Sequence, residues 1–551
     1  MRFRTVIGSV LASTMAAAAG LVATTAPAAA RDNATLIQGV TGVVDTAAAG
    51  GRVFVSANDR IVVADARGTL TGSIADLAGP TGLAVTPDGS RVYAALSGSN
   101  EIAEIDVATL AVVRRINLAG YPSPANLSLD GDQLWVGYGI KNNFVGGVLG
   151  LDLSVAAPTP VQVATRMYGA PLVAGAGNTV FTAEAGINPA RPRVYDVSTT
   201  PATLRGVIDG ADNDLSNLTD LTITPDGTQA ISVFATSGFD VWDTTTLTKV
   251  RSYGSTADYP GSPGAVALSP DGAHVATAFY GTMYGPYARV YDAATGAKTL
   301  QTQMTYKGDL VTGSLSVLGD DVYALLNDWP YNRYYLWRVE GAFLPASTLS
   351  LSATTAATAL DPFSMTGRLA FPDGSAPGAQ PIEITRTLPD GTTATLPGVT
   401  TTEDGTFTVT DTPPVSGSVS YTATWDGSPA FRWSRITTKV DVAQHPISLT
   451  VTGPTTGNAK KPLTLTGQMS TAGNVPTPVS GSIVVYRIHT NENGSVGTDL
   501  PLVPLAADGS FTITDTPPVS GQYTYHIRFD GDATYGYAYT SHGVTVRGPG
   551  A

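Results

Sequence analysis

The stretch LSPDGAHVATAF, residues 268–279, reads as strand, tight turn, strand, with Asp271-Gly272 at the turn. Gly accepts φ > 0 at a hairpin position, and Asp bonds backbone N–H groups in turns. Related strings occur at TPDGSRVYAAL (Asp88), SLDGDQLWVG (Asp130) and TPDGTQAISVF (Asp226), with looser copies AAGGRVFVS, AGAGNTVFTA and VLGDDVYALL. A second signal, an apolar residue followed by Asp at a strand end, lies 17 to 22 residues beyond each of the four clear copies. It recurs at Asp65, Asp106, Asp152, Asp196, Asp243 and Asp292, and a degenerate copy, LWRVEG, carries Arg338 in that place. The spacings are 41, 46, 44, 47, 49 and 46 residues.

A period in the forties, with about four short strands per copy, is the pattern of a β-propeller. Seven copies predict seven blades over residues 41–342. ATLIQG (34–39) reads as an outer strand lacking the rest of its blade. It is expected to close the ring with the last blade, leaving no open sheet edge. The strings T/S-P-D-G-x-x-V-Y and Y/I-D-x-x-T resemble the YVTN-type seven-bladed propellers of bacterial surface and secreted proteins. The resemblance spans about 300 residues. It implies a fold and leaves the activity open, because such propellers host many functions.

After GAFLP (341–345) the blade signals stop. DGTFTVTDTPPVSGSVSYTATWDG (404–427) matches DGSFTITDTPPVSGQYTYHIRFDG (508–531), and FSMTGRL (363–369) matches LTLTGQM (463–469). Two halves of about 100 residues, at 346–446 and 447–551, have the size of immunoglobulin-like sandwiches without the disulfide. Alternation places Val419, Tyr421, Ala423 and Trp425 on one face, and Tyr523, Tyr525, Ile527 and Phe529 on the matching face. These are predicted core, with Thr422 and His526 pointing outward. FDGDATYGYAYTSHGVTV resembles bacterial Ig-like repeats, which by resemblance act as spacers or adhesive modules. The overall expectation is an all-β chain: propeller at 31–345, then two tandem sandwiches.

Arg2 and Arg4, an apolar Ala-rich run and Ala28-Ala29-Ala30 read as a secretory signal peptide over 1–30, giving a secreted, extracellular product, loosely wall-associated or free. Its removal takes the charge from −13 to −15. An acidic chain without basic clusters does not suit nucleic acid, where Lys and Arg must release counterions. There is no Cys, so disulfides, thiolate catalysis and Cys-ligated metals are excluded. No later segment is apolar enough to predict a membrane span, and the chain is expected to be a monomer.

Three features of the chain could carry chemistry. His274 is the sole histidine before residue 445. Its slot, the first residue of the second blade strand, holds Arg52, Arg91, Gln133, Thr179, Gln229 and Asp321 in the other copies. That marks a polar surface position, and no catalytic residue is assigned. The turn and strand-end aspartates are expected to cap backbone N–H groups. In DGADNDLSNLTD (209–220), Asp209, Asp212 and Asp214 are candidate Ca²⁺ ligands, set against a solvated acidic turn. No other cofactor is expected. Secreted propeller lactonases and lyases keep open an alternative: a hydrolase or lyase acting on a lactone or glycan through a tunnel carboxylate or Ca²⁺.

The leading expectation is non-enzymatic binding of an extracellular protein or glycan. Enlarged connections between second and third blade strands lie on one face: 138–147, 184–192, 280–287 and 327–335. They carry Tyr138, Phe144, Tyr280, Tyr284, Tyr287, Trp329, Tyr331, Arg333 and Tyr334. Inter-blade segments add Tyr121, Tyr168, Tyr259 and Tyr306, for which packing between blades is the favoured role. Aromatic rings with polar handles suit recognition, and long loops usually carry function.

Overall fold

A computed structural model describes residues 26–27, 31–282, 285–305, 307–353, 356–473, 475–476, 481–492 and 494–548. The expected signal segment lies outside these residues except for Ala26–Pro27, which pair with Thr348–Ala353. The described chain is all-β apart from one 3-10 turn at Thr256–Asp258, and no described helix is long and apolar enough to cross a membrane. The chain divides into two compact units.

The first unit, Ala28–Ala346 with Gly427–Trp433, is a β-propeller. Among the described residues it holds seven antiparallel sheets. Six are simple four-strand meanders whose innermost strands are Val43–Ala49, Pro80–Val85, Pro124–Asp130, Leu172–Ala176, Leu218–Ile223 and Ser262–Leu268. In the seventh, Ser316–Leu318 and Asp309–Leu310 pair with Asp321–Asp328, which pairs with Arg333–Glu340. The N-terminal strand Arg31–Ile37 completes that sheet, with Ala34 opposite Trp337. Neighbouring innermost strands pack in sequence around the ring, and the seventh sheet packs against the first.

The core of this unit is a set of apolar layers between adjacent sheets. Phe54, Leu83 and Ile105 share the first-to-second layer. Tyr323, Leu336 and Val53 share the layer that closes the ring. Burial on both faces explains why the strands read as runs of Val, Ala and Phe rather than strict alternation.

The seven slot residues each begin the second strand of a sheet, as expected. The register corrects one detail of the repeat. Arg52 faces Asp65, His274 faces Asp292, and Gln229 faces Asp243. In the seventh sheet Val322 faces Val339, so the strand-end position belongs to Glu340 and not Arg338. The last copy is two residues longer than its sequence string suggests. Arg338 pairs instead with Asp321, at 2.7 Å.

The second unit contains Ser347–Asp426 and Ser434–Ala551. Each half has two facing sheets: one of three main strands, and a larger one built on the hairpin Gly417–Trp425/Ser434–Ala443 or Gly521–Phe529/Ala538–Arg547. The face assigned from alternation is the core face: Val419, Tyr421, Ala423, Trp425, Tyr523, Tyr525, Ile527 and Phe529 are all buried. The repeated T-G motif has a packing reason. A Cβ at Gly367 would sit 2.1 Å from the Phe407 ring, and at Gly467 2.0 Å from Phe511, so glycine lets each ring cross the neighbouring strand. Backbone bonds from His445 N–H to Thr534 and from Ser416 N–H to Ala533 tie the halves together.

Candidate functional site

The expected loop aromatics fall into distinct groups. Tyr138 ends a strand and is 4% exposed, edge-on to Tyr121 at 5.0 Å in the layer between second and third sheets. Tyr334 is also buried, its hydroxyl donating to the Thr41 carbonyl at 3.1 Å. Tyr280 and Tyr287 are half-buried against the layers on either side of the sixth sheet. These four belong to strand ends, where the pleat turns alternate residues into the inter-sheet space. They are packing residues rather than rim residues. Tyr259 likewise packs between Phe239 and Phe279. Tyr284 and Tyr306 lie outside the described residues.

The residues at true loop tips behave differently. Trp329 is 79% exposed, Tyr331 69% and Phe144 62%. Arg333 stacks over the Tyr331 ring, 4.8 Å from its centroid, while its guanidinium pairs with Asp328. This fixes a compact patch on the seventh sheet: an indole, a phenol and an oriented cation. Phe144, on the third sheet, contacts Tyr168, whose hydroxyl donates to Asn142 Oδ1 at 2.9 Å. Sheets three and seven are not neighbours, so the loops form two patches rather than one continuous belt.

His274 is partly exposed and stacks on Phe343 at 5.7 Å. The turn and strand-end aspartates cap backbone groups. Asp271 accepts from Ser269 Oγ and Ala273 N–H, and Asp292 from Thr295 N–H and Oγ1. Hydrogen bonds hold their carboxyls below the usual range. Asp209 also caps its turn, accepting from the N–H groups of Ala211 and Asp212. Among the described residues, no three acids or imidazoles gather as a metal site, and Asp209, Asp212 and Asp214 are not brought together as one.

The sequence reading missed two carboxylates on the propeller axis. A cavity of about 560 Å³ is lined by innermost-strand or adjoining residues from every sheet, among them Asp45, Gly82, Asn126, Leu172, Asp220, Val266 and Gly313. Asp45 Oδ1 accepts from Thr46 N–H and Oδ2 from Leu83 N–H in the next sheet, both at 2.8 Å. Asp220 repeats this with Leu221 and Val266, again at 2.8 Å. Enclosure within the ring pushes both carboxyls up to about 7 against the lowering effect of those N–H groups, and Asp45 adds to the rise at Asp220. The signal was present as an acid in third position of an innermost strand (VVDTA, LTDLT), away from any turn. Among the described residues, no Lys, Arg or His lines the cavity.

No family model matches the chain, and no curated protein matches it. Solved structures similar to it include Kuenenia stuttgartiensis hydrazine synthase (17% identity, TM-score 0.42, covering 55% of this chain and 99% of that one). The Myceliophteria thermophila Cps50 (Swd1) β-propeller domain is similar at 12% identity and TM-score 0.42, covering 56% and 99%. A chain of the mitotic checkpoint complex is similar at 11% and 0.44, covering 62% and 99%. At these scores the likenesses carry no argument, and the propeller assignment rests on the ring of sheets.

Proposed function

We propose that the chain is a secreted, extracellular binding protein: a YVTN-type seven-bladed propeller with two Ig-like modules. Its ligand is a protein or glycan, met first by the Trp329–Tyr331–Arg333 patch. One observation carries the binding reading: Trp329 and Tyr331 stand exposed, with Arg333 stacked over the Tyr331 ring. The tunnel carboxylates already have a structural role as staples between sheets, both oxygens of each accepting a backbone N–H. The exposed rings, by contrast, are unspent contact area with an oriented cation beside them.

The test is binding of the full chain to a glycan array, purified cell-wall material and secreted proteins, comparing wild type with the Trp329→Ala/Tyr331→Ala variant. Loss of binding at unchanged melting temperature supports the reading. Turnover in a lactone and glycan hydrolysis screen that is abolished by Asp220→Asn would replace it with the hydrolase or lyase alternative.

A further inference from the structure

The two C-terminal halves provide an internal control, because the same sheet is built twice with different outer faces. On the first copy's larger sheet, Glu383, Thr424 and Arg435 form one cross-strand row, and Thr385, Thr422 and Thr437 the next, with Thr422 buried rather than exposed as its alternation suggested. The equivalent rows of the second copy are Val484, Arg528 and Tyr539, then Tyr486, His526 and Ser541. Tyr537, two residues before Tyr539, extends the same edge. The fold therefore tolerates threonine where the second copy carries rings.

Those substitutions create a concavity of about 280 Å³ lined by Val484, Tyr486, Ile488, His526, Arg528, Tyr537 and Tyr539. Tyr537 is 60% exposed and Tyr539 49%. The parts are ordered. His526 stacks on Tyr539 and its Nδ1 meets the Tyr539 hydroxyl at 2.5 Å. Arg528 Nε donates to Asp530 at 2.7 Å. Tyr486 lies across Gly497 of the adjoining strand so closely that a Cβ there would be 1.6 Å from its hydroxyl.

We propose that this face is a glycan-binding site for neutral sugar rings, separate from the propeller patch. Flat aromatic faces match the C–H face of a pyranose, and phenol, imidazole and guanidinium groups at the edge match its hydroxyls. Arg528 disfavours a cationic ligand, while Asp530 beside it offsets an attraction to anions. The small volume and the several polar edges do not suit a large apolar ligand.

The test is isothermal titration of the full chain with cellohexaose, maltohexaose and the hexamer of N-acetylglucosamine. At least one is expected to bind, and Tyr537→Ala/Tyr539→Ala is expected to weaken it at least tenfold at unchanged melting temperature. Gly497→Ala, which displaces Tyr486 without touching the other rings, is expected to weaken it as well. Thr385→Ala on the first copy and Trp329→Ala on the propeller should leave it intact, which separates this site from the propeller reading. No binding of the three sugars at millimolar concentration, or equal binding by the Tyr537/Tyr539 variant, overturns the proposal. So does a concentration-dependent dimer that the same variant abolishes, since the face would then belong to a second copy of the chain.

Discussion

Asp45 and Asp220 hold the same position in the first and fifth sheets, and each carboxylate clasps the innermost strand of the sheet that follows, through Leu83 N–H and Val266 N–H. A propeller has few covalent constraints between blades. A carboxyl group that bonds both its own strand and the next fixes their relative height around the axis, in addition to the apolar layers.

This arrangement predicts a pH dependence. Both carboxyls sit at about 7 when folded and near 4 when unfolded. Between those values the folded state binds the additional proton, so stability declines as pH rises from about 4 to about 7 and levels off above. Partial opening to tunnel water makes the slope smaller than for a dry site. Urea midpoints at pH 5 and pH 8 should show the decline, and the Asp45→Asn/Asp220→Asn variant should flatten it. A wild-type midpoint that stays flat over this interval, matching the variant, would show the staples to be ordinary ionised carboxylates.

Below pH 4 the opposite sign applies. Asp88 is held at about 2, chiefly by the Thr86 hydroxyl and Ser90 N–H, and Asp404 at about 2 by Thr402 and Thr406. Their contribution is present above pH 4 and is lost as pH falls from about 4 to about 2. The acid limb of a melting-temperature profile should therefore steepen in that window, and Asp404→Asn should soften it.

The second unit repeats a polar triad. Arg386 Nη1 donates to Asp411 at 2.9 Å and Tyr421 donates to the same carboxylate at 2.7 Å. In the other copy Arg487 and Tyr525 meet Asp515 at 2.8 and 2.7 Å. Asp515→Ala leaves a largely buried guanidinium unpaired and should cost about 3–5 kcal/mol. Tyr525→Phe removes one hydrogen bond to a charged group and should cost about 1.5–3 kcal/mol. Equal costs for both would place the charge elsewhere.

The Asp321–Arg338 pair of the seventh sheet is separable by charge swap. Arg338→Ala should lower stability by about 1–3 kcal/mol, since Asp321 then loses a charge-assisted bond. Asp321→Arg/Arg338→Asp should recover part of that loss in a double-mutant cycle. No recovery would mean that the stem of Arg338, not its charge, matters.

Much of this was legible in the sequence because turns repeat. Asp-Gly at fixed offsets and the polar slot from Arg52 to Asp321 mark strand starts, and strict alternation in the C-terminal half marks its core. What stayed hidden was set by pleat and register. Tyr138 and Tyr334 read as loop residues but lie within strand ends, and one residue of difference turns a ring from rim to interior. Glu340 was hidden because Arg338 broke the repeat string. Asp45 and Asp220 were passed over because the other repeated Asp residues sit in turns or at strand ends, and a carboxylate inside an apolar strand gains its meaning only from the neighbouring sheet. The Tyr486–Tyr537–Tyr539 face needed the pairing of two distant hairpins to become a single surface.

The central claim is binding through the propeller patch, and its most direct measurement is the affinity of the Trp329→Ala/Tyr331→Ala chain for a ligand from the glycan array or cell-wall material that the Tyr537→Ala/Tyr539→Ala chain still binds. Both rings are solvent-exposed, so the melting temperature should not move. The account predicts at least a tenfold loss of affinity. Unchanged affinity in a folded variant would contradict it.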